Sequence, residues 1–140
     1  MIELTNNAVQ IVDDGLPVLY NQETTHSGCC EYHRIGSGRI TLLKPGRYLV
    51  SFSANVAVPA GQTPGELVFA IAEDAERVYE TTMIVTPTAE GAYFNIAAHT
   101  YIDVIQRCGH TCCVNVSVLN LSTIPASVAN PNLTAVRVNG

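Results

Sequence analysis

All five cysteines and three of the four histidines of this 140-residue chain lie in two short stretches, "HSGCCEYH" (His26 to His33) and "RCGHTCC" (Arg107 to Cys113). Thiolate and imidazole are preferred ligands of Zn2+, so Cys29, Cys30 and His33 with Cys108, His110, Cys112 and Cys113 form a candidate tetrahedral site. Cys30-x2-His33 has a workable spacing, but no Cys-x2-Cys pair accompanies it. The competing reading is a disulfide staple between Cys29 or Cys30 and Cys112 or Cys113. It would close a loop of roughly eighty residues and contribute about 4 kcal/mol in the chain-entropy account. An odd thiol would remain, free to pair across subunits or to stay reduced and buried. Adjacent cysteines on a strand point to opposite faces, so Cys112 and Cys113 have different surroundings. Disulfides, buried free thiols and metal therefore stand as three readings, with the staple preferred.

Thiol catalysis requires a nucleophile, a positioned base and an orienting group, and Cys108 with His110 is the sole local pairing. No oxyanion-hole signature accompanies it, so a thiol-dependent enzyme ranks last and no catalytic residue is assigned. His99, inside an apolar stretch, reads as a hydrogen-bonded core or interface histidine. Asp13, Asp14, Glu73, Asp74 and Glu76 offer carboxylates for Ca2+, yet they lie beside turn residues and read as solvated tips. No aromatic sugar platform supports a glycosidase carboxylate pair, and Trp is absent. Gly36-Ser37-Gly38 is a turn with no helix after it to cradle phosphate. The triplets at Asn115, Asn120 and Asn132 read as ordinary strand and loop residues.

These residues must be held by strands. Apolar residues recur with period two in segment after segment, and no dozen-residue stretch keeps helical spacing. Tyr48, Val50, Phe52, Ala54 and Val56 share one face of a long strand, opposite Leu49, Ser51, Ser53 and Asn55. The same alternation predicts strands through Leu67 to Ile71, Val78 to Val85, Tyr93 to Tyr101, Val114 to Val118 and Leu133 to Val138. Shorter candidates occupy Ala8 to Val12, Pro17 to Tyr20 and Arg39 to Leu43, whereas "TTHSGCCEYHRIGSG" reads as loop by composition. Turn signals separate the strands at Pro45-Gly46, Pro59 to Gly65, Asp74, Pro87 to Gly91 and Asn130-Pro131. Their spacing is that of a sandwich or barrel in a single domain over 1–140, with short strands and the Cys/His loop in 1–45 and the main sandwich in 46–140.

Charged residues are 14% of the chain, against about 25% in ordinary soluble domains. Much of the surface must then be uncharged or covered by another chain. Twelve acidic and seven basic residues leave a net charge of -5 with no basic run, which excludes a nucleic-acid partner. No window is apolar enough to span a membrane, and "MIELTNNAVQ" lacks the basic and apolar regions of a signal peptide, so neither membrane nor signal peptide is expected.

"ITLLKPGRYLVSFSANV" (Ile40 to Val56) resembles the Gly-x-Tyr-x-Phe strand of the C1q and tumour-necrosis-factor-like jelly rolls, and "IVDDGLPVLYN" resembles the opening of their bacterial branch. That branch includes exosporium collagen-like glycoproteins and small phage virion proteins. The resemblance covers most of the chain and implies an all-β, two-sheet jelly-roll sandwich of about ten strands, forming a compact homotrimer. It implies binding or display rather than catalysis, and no required cofactor, although some members bind calcium. The collagen stalk is absent from this sequence, and the paired cysteines depart from the general pattern. The expected role is therefore a structural protein on a virion surface, as a decoration docked on a phage capsid or tail. The alternative is a bacterial spore- or cell-surface module that recognises glycan or protein. In the trimer, Tyr48, Val50 and Phe52 of one strand, with Tyr93, Phe94, His99 and Tyr101 of another, are the expected interface residues.

Overall fold

A computed structural model describes residues 1–107, 110–111 and 113–139, with 107, 110 and 111 described by backbone alone. The strands are β1 (Ile2–Thr5), β2 (Gln10–Val12), β3 (Gln22–His26), β4 (Glu31–His33), β5 (Arg39–Leu42), β6 (Gly46–Ala57) and β7 (Leu67–Glu73). They continue as β8 (Glu76–Arg77), β9 (Met83–Val85), β10 (Phe94–Val104), β11 (Gln106–Arg107), β12 (His110–Thr111), β13 (Val114–Asn120) and β14 (Ala126–Asn139). One antiparallel sheet runs β10-β6-β14-β1-β3 with β2 added to β14, and the second runs β4-β5-β13-β7-β8 with β9 added to β7. β11 and β12 pair with each other alone. The fold is the all-β, two-sheet jelly-roll sandwich.

The core lies where the two alternating inner faces meet. Tyr48, Val50, Phe52, Ala54 and Val56 of β6 face Ile40, Leu42, Phe69, Ile71, Val116 and Val118 from the other sheet, all buried. Tyr48 keeps its hydroxyl satisfied by donating to the Lys44 carbonyl at 2.8 Å. The predicted hairpin at Asp74 is present: Asp74 and Ala75 both take positive φ (50° and 68°) and join Glu73 to Glu76.

Four expected elements differ. The stretch read as loop contains β3 and β4, one edge strand for each sheet. Their polar composition hides them: β4 buries only Glu31 and His33, and β3 buries no residue. The Val78 to Val85 strand is broken by a 3-10 turn at Tyr79–Thr81. There the buried Thr81 hydroxyl accepts the Ile71 N–H at 2.9 Å and donates to the Val78 carbonyl at 2.7 Å, replacing ladder bonds. Asn130-Pro131 does not end a strand but forms a bulge inside β14, where Asn130 takes φ 53° and the register to β6 shifts between Ala129 and Asn132. Pro17 to Tyr20 contributes one isolated bridge, Pro17 to Leu119, rather than a strand.

Candidate functional site

The two cysteine clusters approach the same end of the sandwich. Glu31, Leu42 and Val114 stand side by side on β4, β5 and β13, so Cys30 and Cys113 each lie one residue beyond that row. Two strand spacings, about 10 Å, separate its ends, too far for a direct bridge between flanking cysteines. Among the described residues Cys29, Cys30 and Cys113 form no disulfide with one another, with Cys30 packed on the core and the other two exposed. Cys108 and Cys112 lie outside the described residues, as does the His110 side chain, so any pairing or metal that uses them does too.

The described histidines of this region are engaged with the protein. His33, with its side chain fully buried, donates from Nε2 to the Ser37 carbonyl at 3.1 Å and sits edge-on to Tyr20. His26 places its ring nitrogens 3.2 Å from Glu23 and 3.1 Å from the Glu31 carbonyl. Among the described residues no three His, Cys, Asp or Glu side chains come together as metal ligands. The Asp74 carboxylate accepts the Asn115 N–H at 2.9 Å, which is hairpin architecture. Asn120 is likewise structural, buried and donating to the carbonyls of Val12 and Ile124.

Burial pushes the Tyr20 phenol well above its ordinary range, so it carries no proton chemistry at neutral pH. Glu73 is also pushed up, first by burial and then by the neighbouring charges of Asp74, Asp103 and Glu76. Its charged form is the one the fold disfavours. Glu73 thus contributes stability below its ordinary value of 4.5, and that contribution is lost as pH rises through the raised folded value. Glu73→Gln is expected to raise Tm by about 1–3 °C at neutral pH and to leave it unchanged near about pH 3. Thermal melts of the two proteins at both pH values check this, and a lower Tm for the variant at neutral pH contradicts it.

The outer face of the first sheet is uncharged and mostly small across β10, β6 and β14, and is bordered on β1 by Glu3, whose carboxylate accepts the Asn132 amide at 2.7 Å. Across β10, β6 and β14 its rows read Ala97, Ser53, Asn132, then His99, Ser51, Thr134, then Tyr101, Leu49, Val136. A shallow trough of about 330 Å3 runs between Ser51, Ser53, Ala97, His99 and Asn132. One charged pair closes its end, Arg47 to Asp103 at 2.8 Å, with Arg47 over the Tyr101 ring at 5.7 Å. That hydrogen bond holds the Asp103 carboxyl below its ordinary value. The expected interface needs a correction at three positions: Tyr48, Val50 and Phe52 point inward and are at most 2% exposed. The strand is the expected one but its free face is the opposite one, Leu49, Ser51 and Ser53. Tyr101, at 59% exposure, and His99 lie on the same outer face, while Tyr93 and Phe94 are exposed where β10 begins.

Sequence reasoning missed a second feature, on the outer face of the other sheet. A groove of about 830 Å3 is lined by Tyr32, Arg34, Ser37, Arg39, Asn115 and Ser117, with Pro17 and Gly38 at one wall and Asp74 at an end. Gly38 is needed there, because a Cβ would meet the Val18 carbonyl oxygen at 2.6 Å and Pro17 at 2.8 Å. The available signal was the alternation Glu31, Tyr32, His33, Arg34, which puts Tyr32 and Arg34 on the outer face once β4 is taken as a strand.

No protein-family profile matches the chain, and no curated protein matches it in sequence. Solved structures do match in fold. The globular domain of zebrafish complement 1qA protein is similar over 98% of this chain and 95% of its own, with a TM-score of 0.71 and 12% identity. Murine APRIL at pH 5.0 is similar over 95% of this chain and 98% of its own, with a TM-score of 0.57 and 14% identity. The vertex protein P5 of the phage PRD1 is similar over 99% of this chain and 96% of its own, with a TM-score of 0.52 and 15% identity. The chain therefore has the C1q/TNF-like jelly-roll fold.

Proposed function

We propose that this protein is a non-enzymatic structural protein that assembles as a homotrimer through the outer face of the β10-β6-β14 sheet and decorates the surface of a phage particle, on its capsid or tail. The observation that carries the reading is that face itself. It offers backbone-level access through Ala97, Ser51 and Ser53, one exposed aromatic in Tyr101, and charge at its borders, the Arg47–Asp103 pair at one end and Glu3, hydrogen-bonded by Asn132, along β1. A face of uncharged, mostly small side chains with charge at its borders is well suited to close packing against a second copy of itself. The shortage of charge in the whole chain, 14%, points the same way. The homotrimer implied by the C1q/TNF-like resemblance supplies the symmetry, and closed symmetry leaves no open end for further growth.

The vertex location in the name of the PRD1 neighbour makes a particle surface the preferred site over a spore or cell envelope. Immunogold labelling with an antibody against the exposed Tyr79 loop tests this on particles and cells from the same culture. Gold on particles is the expected result. Gold confined to the cell envelope would overturn the virion assignment.

A further inference from the structure

We infer that the groove on the β4-β5-β13 sheet is a binding site for an anionic oligosaccharide, one that carries uronate or sialate carboxylates. Its floor is laid down by strand register. Tyr32, Thr41 and Asn115 stand in one row across three strands, and Arg39 faces Ser117 in the next. Arg34 follows from β4 on the same face, so two of the chain's seven basic residues converge on one groove in a protein of net charge -5.

The groove is rich in unused donors. Neither Arg34 nor Arg39 forms an ion pair with any described residue, in contrast to Arg47. The Asn115 side-chain oxygen already accepts the Thr41 hydroxyl at 2.8 Å, so its amide N–H groups are what remain to offer. The Ser37 hydroxyl lines the wall, buried and without a hydrogen-bond partner among the described residues. The one carboxylate, Asp74, is held at the end by the Asn115 N–H. A donor-rich, acceptor-poor lining calls for a ligand rich in acceptors, and guanidinium forks match carboxylates.

Size and shape select among anions. At about 830 Å3 the groove has the dimensions of a ligand site for several sugar units and would be nearly empty around a single inorganic ion. β5 and β13 are each paired on both sides, so the middle of the floor presents no free backbone edge, and a peptide could add a strand at β4 alone, outside the row of donors. Tyr32, 54% exposed beside the arginines, gives a sugar ring a flat apolar surface to lie on. The groove lies on the opposite sheet from the proposed trimer face, so it stands whether or not the chain assembles.

Calorimetric titration of the intact protein tests the assignment, with trigalacturonate and 3′-sialyllactose as probes, lactose as the neutral counterpart, and inorganic phosphate and poly-glutamate as competing anions. At least one acidic sugar is expected to bind with salt-sensitive affinity, at least about tenfold tighter than lactose. Arg39→Gln and Tyr32→Ala are each expected to weaken it about tenfold, and Arg77→Gln, at an arginine stacked on Tyr79 outside the groove, to leave it unchanged. No binding of either acidic sugar overturns the inference, as does equal binding of lactose. So does poly-glutamate or phosphate binding as tightly as the sugars, or an equal loss in Arg77→Gln. The monomeric Ser51→Arg protein described below should bind alike, which separates this result from the fate of the trimer.

Discussion

Ser51→Arg is expected to convert the assembled protein to monomer while leaving each chain folded. Ser51 sits mid-face, between His99 on β10 and Thr134 on β14, and its side chain points away from the core. An arginine there has room on an isolated chain, so the fold tolerates it. Once three copies close over that face, each arginine loses water while the nearest carboxylates are already engaged, Asp103 by Arg47 and Glu3, two strands away, by Asn132 and Thr25. Burying an unpaired charge costs several kcal/mol per ion, so about 3 kcal/mol or more should be lost, or roughly a hundredfold in dissociation constant. Sedimentation velocity across a concentration series reads this directly. Thr63→Arg, on an exposed loop, is the matched control and should leave assembly intact. A Ser51→Arg protein that sediments like the parent would remove β6 from the interface.

Phe52→Ala, one residue along, should act on the chain and not on the assembly. Phe52 is 2% exposed and packs in the core, so truncation leaves a cavity in the sandwich. The expected cost is about 3–5 kcal/mol, a large fraction of the 5–15 kcal/mol that a domain typically has. Measured by urea denaturation in the Ser51→Arg background, the loss is free of any contribution from subunit association. Phe52→Leu, which keeps most of the volume, should cost less and guards against outright failure to fold. Unchanged monomer stability in Phe52→Ala would mean that Phe52 faces outward after all.

The contrast between these neighbouring residues marks what alternation can and cannot tell. Tyr48 to Val56 is legible as a strand because its two faces differ in hydropathy, but both faces of a sheet can be covered, one by its own sandwich and one by another chain. Period two alone does not say which covering belongs to which face. Here the large residues went to the chain's own core and the small ones to the outer surface. β3 and β4 were illegible for a different reason: edge strands of five and three residues, the first with no buried residue and the second with two polar ones, carry too few apolar positions to stand out from a cysteine-rich loop. Missing β4 also hid the groove, since Tyr32 and Arg34 acquire a common face only in an extended strand. The break at Thr81 depends on a hydroxyl that substitutes for ladder bonds, and composition gives no warning of that.

Native mass spectrometry of the unmodified protein tests the central claim most directly. An ion series at three times the 15.0 kDa chain mass is expected, collapsing to the single chain on denaturation. A 15.0 kDa monomer alone, at concentrations where Thr63→Arg is equally monomeric, would contradict the proposed assembly face and with it the surface-decoration role.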